Sequence, residues 1–160
     1  MKTVLLVNPP GDQPYIRDYF CSKVSKSGYL YHPTDLLILS GILSCRFQVA
    51  VLDAIVENLS EDAALERIRD TAPDHVIALT GSVSFSRDSA FLERVRAENP
   101  NIKKMAAIGD IFFEEPQQKL ERLPFLDAIL FDFTDPCIVD YLQEGECANM
   151  VCRSGGEITG

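Results

Sequence analysis

Cationic residues are scarce in this chain. Of 160 residues only 15 are Lys or Arg, against 24 Asp or Glu, for a formal net charge of −9. That balance lacks the basic face a phosphate backbone requires, so nucleic acid is not expected as a partner. No basic amphipathic helix suggests a membrane surface. Long apolar runs are missing too, and nothing approaches the roughly 20 residues of a bilayer span. The apolar start Val4-Leu5-Leu6-Val7 is too short for a signal peptide, and Asn8-Pro9-Pro10-Gly11-Asp12 breaks it without a cleavage-like site. It reads as a first β-strand. The five cysteines (Cys21, Cys45, Cys137, Cys147 and Cys152) show neither paired CxxC spacing nor a nearby His pair. Reduced thiols in a reducing, cytoplasmic compartment are expected, with no zinc or iron–sulfur site in the chain itself.

What is present is a rhythm of short apolar runs. Residues 4–7 stop at Asn8-Pro9-Pro10, 49–52 at Asp53 and 76–79 at Thr80-Gly81-Ser82. Residues 105–108 stop at Gly109-Asp110, and 128–131 at Asp132-Phe133-Thr134. Continuous apolar runs of this length suit strands buried on both faces, and parallel strands need a crossover, usually a helix. Helical patterns fill the gaps. Residues 33–45 open on Pro33, are apolar nearly all round and should be buried, with Gly41 close to the sheet. Ser60 caps a second helix with Glu61 and Asp62 in its first turn and Ala64, Leu65, Ile68 and Ala72 inward. A third spans 87–98 with Phe91, Leu92 and Val95 inward. A weaker one follows Pro116, a last one covers 136–142, and residues 149–159 read as a small hairpin.

The expected fold is therefore α/β: a flavodoxin-like (Rossmann-like) doubly wound parallel sheet of order 2-1-3-4-5, with a C-terminal hairpin or connector. Its switch point lies between strands one and three, where open α/β folds bind ligands. The connection across residues 9–32 is long for this position and carries Tyr15, Tyr19, Phe20, Tyr29 and Tyr31. It is either a lid or binding loop, or a loop folded onto its own aromatics.

Several occupants of that edge fail on their chemistry. GxGxxG is absent after strand one, GxxxxGK[ST] is absent throughout, and two prolines remove the amides a flavin-phosphate loop would use. Asn8 and Thr80 stand where a phospho-acceptor receiver needs acids. What remains is small: Thr80-Gly81-Ser82-Val83-Ser84 offers hydroxyls and a bare backbone, and Gly109 has no Cβ. This is either a groove for a ligand lying against the backbone, or a tight turn whose hydroxyls cap the next helix. His75 begins strand three at the far edge and reads as structural.

Taken together, Val4-Leu5-Leu6-Val7-Asn8-Pro9-Pro10, Pro33-Thr34-Asp35-Leu36-Leu37-Ile38-Leu39-Ser40-Gly41-Ile42-Leu43, Val49-Ala50-Val51-Leu52-Asp53-Ala54, Pro73-Asp74-His75-Val76-Ile77-Ala78-Leu79-Thr80 and Asp127-Ala128-Ile129-Leu130 resemble the N-terminal cobalamin-binding domain of cobalamin-dependent radical S-adenosylmethionine enzymes. The resemblance implies that residues 1–146 cradle a corrinoid whose nucleotide tail drops between strands one and three. Asn8, Pro9 and Pro10 would border the cleft; Thr80, Gly81, Ser82 and Ser84 would line the tail; Gly109, Asp110 and Ile111 would face its other side. Asp132, Phe133 and Thr134 fall where the family has a Gly-Glu-Gly-Glu stretch, and Asp110 replaces the second glycine of a pair, so the groove would be narrower. No His follows Asn8 until His32, so lower-face cobalt ligation of the Asp-x-His-x-x-Gly kind is not supported. Residues 147–160 would be a hairpin or linker into a radical S-adenosylmethionine domain carrying the parent's 4Fe-4S cluster and S-adenosylmethionine. The chain would then be a non-catalytic module. The alternatives are a degenerate domain without ligand that serves as a docking scaffold, or a thiol-dependent enzyme using Cys21, for which nothing marks a partner base.

Overall fold

The computed structural model describes residues 1–160, apart from the side chain of Cys21. Five parallel strands form its centre: β1 (Thr3–Asn8), β4 (Gln48–Asp53), β5 (His75–Leu79), β6 (Lys104–Ile108) and β7 (Ala128–Leu130). They lie in the order β4-β1-β5-β6-β7, the expected 2-1-3-4-5. The C-terminal hairpin, β8 (Met150–Ser154) and β9 (Glu157–Thr159), extends this sheet antiparallel to β7. A second hairpin, β2 (Tyr15–Asp18) and β3 (Cys21–Val24), makes a separate two-stranded sheet inside the long connection after β1.

Alternate residues of each strand feed opposite layers, as the pleat requires. Leu5, Val7, Val76, Ala78, Met105, Ala107 and Ile129 pack with α2 (Glu61–Thr71), α3 (Phe85–Glu98) and α4 (Pro116–Arg122). Val4, Leu6, Ile77, Leu79, Ala106 and Ile108 pack with α1 (Thr34–Leu43) and α5 (Cys137–Leu142). Ser60 caps α2 by accepting the Ala63 amide, as its sequence suggested.

Four local expectations are corrected. The helix α1 is apolar nearly all round but only half covered: Leu36, Leu39 and Leu43 are buried, whereas Leu37 and Ile38 face outward. Gly41 sits on that open side, with no atom near the place its Cβ would take, so it mediates no close approach. Ala72 is exposed because it adopts the left-handed C-cap of α2 instead of continuing the buried stripe. Cys137 and Cys147 form a disulfide, although reduced thiols were expected. The turn after α5, with Gly145 donating to Asp140, brings the chain back within reach after ten residues.

His75 opens β5 at the end of the sheet away from the switch point. It is fully buried, edge-on to Phe47, and neither ring nitrogen has a partner. Burial, with Lys2 adding to it, lowers its pKa to about 4. A histidine depressed in the native state binds fewer protons than the unfolded chain between pH 4 and 6.5, so its stabilising effect is lost as pH falls through that window. We expect His75→Leu to gain on the parent chain by about 1–3 kcal/mol as pH drops from 6.5 towards 4. Urea unfolding midpoints measure this, and a difference constant across the window would refute it.

Candidate functional site

The switch point lies where β1 ends at Asn8 and β5 at Leu79. Two prolines leave the carbonyls of Pro9 and Pro10 aimed at the space between them without amides of their own. Arg17, projecting from β2, fills that space. Its Nη1 donates to Asn8 Oδ1 at 2.9 Å and to the Pro9 carbonyl at 3.0 Å, and an Nη2 bond reaches the Pro10 carbonyl. Nε donates to Ser84 Oγ and Asp88 Oδ2, and Nη2 pairs with Asp88 Oδ1 at 2.7 Å. Both side chains of this ion pair are fully buried. Asp88 also accepts the Ser84 hydroxyl and the Gly81 amide, so its oxygens are well supplied with donors. The other Asn8 atom, Nδ2, donates to Asp53 and ties the ends of β1 and β4 together.

The second anchor is Ser22 on β3. Its amide and Oγ both donate to Asp110 Oδ2, its Oγ lies 2.8 Å from Ser82 Oγ, and it accepts the Val83 amide. Asp110 also receives the Ser82 amide and hydroxyl. Burial pushes the Asp110 carboxyl up, but these donors together outweigh it and hold it below the usual carboxylate value. Gly81 is bare for a reason visible here: a Cβ would stand 2.7 Å from Ser22 Cβ. At Gly109 the neighbour is backbone, because a Cβ would come within 1.9 Å of the Thr80 carbonyl oxygen. The Thr80 hydroxyl donates to Ile108 across the same strand pair. These two small residues serve close packing within the chain.

The third contact is aromatic. Tyr19, at the hairpin turn, is buried edge-on against Phe133 and Phe113, and its amide donates to Asp35 at 2.9 Å. Phe20 and Phe113 stay exposed beside it. Tyr29 and Tyr31 pair with each other in solvent, so only Tyr15 and Tyr19 of the loop tyrosines turn inward.

The expected site residues thus divide. Asn8, Pro9, Pro10 and Ser84 converge on Arg17, while Ser82 and Asp110 converge on Ser22 beside Gly81. Thr80 and Gly109 pack on each other, and Ile111 joins the core layer of α3 and α4. Phe133 lies under Tyr19. Asp132 and Thr134 are exposed: the Thr134 hydroxyl and amide hold the Asp132 carboxyl low, and Asn149 Nδ2 donates to the Asp132 carbonyl. The sequence reading missed Arg17, Ser22 and Asp88. The Cys21 side chain, the thiol candidate of the sequence, lies outside what is described. Among those described, no cluster of His, Cys, Asp and Glu could hold a metal.

As folded, the slot holds the chain's own side chains. The cavity beside the hairpin, lined by Asn8, Arg17, Asp35, Asp53, Tyr31 and His32 among others, measures about 230 Å³. Small-molecule pockets measure roughly 300–1,000 Å³, and this cavity opens towards Asp53 and Val56, away from Thr80, Gly81, Ser82 and Gly109. With Arg17 against Asn8 and Ser22 against Gly81 and Asp110, the closed arrangement leaves no room for a corrinoid tail between β1 and β5.

Two variants test the electrostatics. Arg17→Ala strands a buried carboxylate and is expected to cost about 3–5 kcal/mol in urea unfolding; a cost below 1 kcal/mol would mean that Asp88 finds solvent instead. Asp35, raised to about 6 by burial and then by Asp18, keeps an extra proton in the native state between about pH 4 and 6. That contribution is complete below the unfolded carboxylate value and lost as pH rises through 6. Asp35→Asn should therefore gain about 1–3 kcal/mol on the parent between pH 4 and 7, opposite in sign to His75. Parallel stability–pH curves for the two proteins would contradict it.

No family model and no curated protein matches the sequence. Solved structures do. The cobalamin-dependent S-adenosylmethionine radical enzyme OxsB, with aqua-cobalamin and S-adenosylmethionine bound, superimposes over 99% of this chain and 22% of its own, with a TM-score of 0.71 and 17% identity. The radical S-adenosylmethionine methyltransferase TsrM from Kitasatospora setae, with cobalamin and a [4Fe-4S] cluster bound, covers 99% of this chain and 30% of its own, at TM-score 0.69 and 16% identity. The chain spans less than a third of either enzyme's length, and what it shares with that part of them is the fold.

Proposed function

We propose that this chain is a corrinoid-holding module of a radical S-adenosylmethionine enzyme. It would present the cofactor to a downstream barrel that carries the 4Fe-4S cluster and S-adenosylmethionine. One observation carries the reading: a parallel sheet of order 2-1-3-4-5, alike over nearly its whole length to OxsB and TsrM, ends its two central strands in a slot of small and hydroxyl-bearing residues. The cobalt chemistry would belong to the cofactor, and the protein would supply orientation and shielding. Within the chain, Asn8, Thr80, Gly81, Ser82 and Ser84 would take the tail. Asp110 would lie beside it, keeping the Ser82 amide and hydroxyl as donors.

A second reading has its own support. The hairpin occupying that slot favours a domain that has given up its ligand and serves as a scaffold for a neighbouring domain. The two are separated by mixing the purified chain with hydroxocobalamin and desalting. Near-stoichiometric corrin absorbance retained with the protein is expected. Loss of all corrin colour, both by the parent chain and by variants that free the slot, would favour the scaffold.

A further inference from the structure

We infer that the β2–β3 hairpin is a displaceable plug, a part of the chain that holds the ligand slot closed and must swing out before a corrinoid tail can enter. The inference rests on the corrinoid reading and deepens it.

The hairpin is built to leave as a unit. Its two strands satisfy each other through their own register, Tyr15 opposite Val24 to Asp18 opposite Cys21. The backbone bonds recorded at its open end, Tyr15 to Gln13 and Ser25 to Pro14, are also local. Among the described residues, every recorded hydrogen bond from the hairpin to the sheet body runs through a side chain. Arg17 reaches Asn8, Ser84 and Asp88; Ser22 reaches Ser82 and Asp110; the Asp35 carboxylate holds the Tyr19 amide. Opening would therefore break side-chain anchors without unpicking a strand ladder. Gly28, at φ +67° with open space around it, lies in the return segment where such a movement can be absorbed.

The plug also mimics what it excludes. Ser22 presses on Gly81 and its hydroxyl joins the Ser82–Asp110 pair, which is where the tail of the proposed ligand would lie. Arg17 meets donor-hungry groups, the Pro9 and Pro10 carbonyls and Asp88, that an incoming ligand or water would have to satisfy instead. Apparent affinity then falls in proportion to the fraction of molecules already open.

Hydrogen exchange of residues 15–24, with and without saturating hydroxocobalamin, tests this directly on the 160-residue chain. Exchange of these amides is expected to rise at least tenfold on binding, with β5 and β6 unchanged. In parallel, Arg17→Met/Asp88→Asn, which removes the latch without stranding a charge, should bind hydroxocobalamin at least tenfold more tightly. Ser22→Glu, which sets a carboxylate against Asp110, should act in the same direction and covers the case in which the double variant fails to fold. Retention of corrinoid by the parent chain with hairpin amides as slow as before would overturn the plug, yet leave the corrinoid reading standing. Retention by the variants alone would support the plug. No retention by the parent or by either variant would sink the corrinoid reading and the plug with it.

Discussion

A guanidinium buried where two central strands end sets the terms for everything around it. Arg17 has no water to fall back on, so each of its donors must find an acceptor within the fold. Asn8 at the end of β1, Ser84 and Asp88 at the start of α3, and two proline carbonyls supply them. Those groups come from the segments that flank the switch point, so satisfying Arg17 fixes their relative placement. The same requirement seats the hairpin, because Arg17 lies in β2 and brings Ser22 and Tyr19 with it.

Charge also limits what the slot can accept. Asp88 and Asp110 both face it, and in the closed form they are balanced by Arg17 and by hydroxyl and amide donors. Were the hairpin to move away with Arg17, two carboxylates would line the opening. An anionic group such as a tail phosphate would then be repelled at short range, where screening is weak. A nucleotide tail therefore fits best if its neutral base reaches the Gly81 side while its phosphate stays outside. The alternative is for Arg17 to pivot and keep its charge at the mouth.

How far the sequence carries depends on the range of the interaction. The parallel strands and their helical crossovers follow from apolar runs alternating with helical patterns, because burial on both faces leaves a local mark in composition; the order 2-1-3-4-5 is one choice among doubly wound folds. Helix ends behave likewise where a cap is local, as at Ser60. The disulfide and the open side of α1 depend on what lies across space, and spacing alone does not encode that. The slot is an instructive middle case. Its small residues are visible after β5 and β6, yet their partners are the Thr80 carbonyl and Ser22, which only the fold brings near. One signal was present: Asp88 lies in phase with Phe91, Leu92 and Val95 on the inward stripe of α3. An acid on an apolar stripe asks for a buried cation. Arg17, flanked by Tyr15 and Tyr19 in strand alternation, was its counterpart 71 residues earlier.

The corrinoid-holding module and the ligand-free scaffold are two ends of one scale. Suppose a ligand binds the open form with an intrinsic constant set by the slot. If opening costs about 3 kcal/mol, fewer than about one molecule in a hundred is open, and apparent affinity weakens by the same factor. Each further 1.4 kcal/mol or so removes another tenfold. Opening lets water reach Arg17 and Asp88, so it costs less than deleting either partner while both stay buried. The difference between a gated cofactor site and a closed scaffold then comes down to the hydrogen bonds at Arg17 and Ser22 and the burial of Tyr19. A handful of substitutions there would move the chain from one to the other without altering the sheet, the helices or the order of the strands.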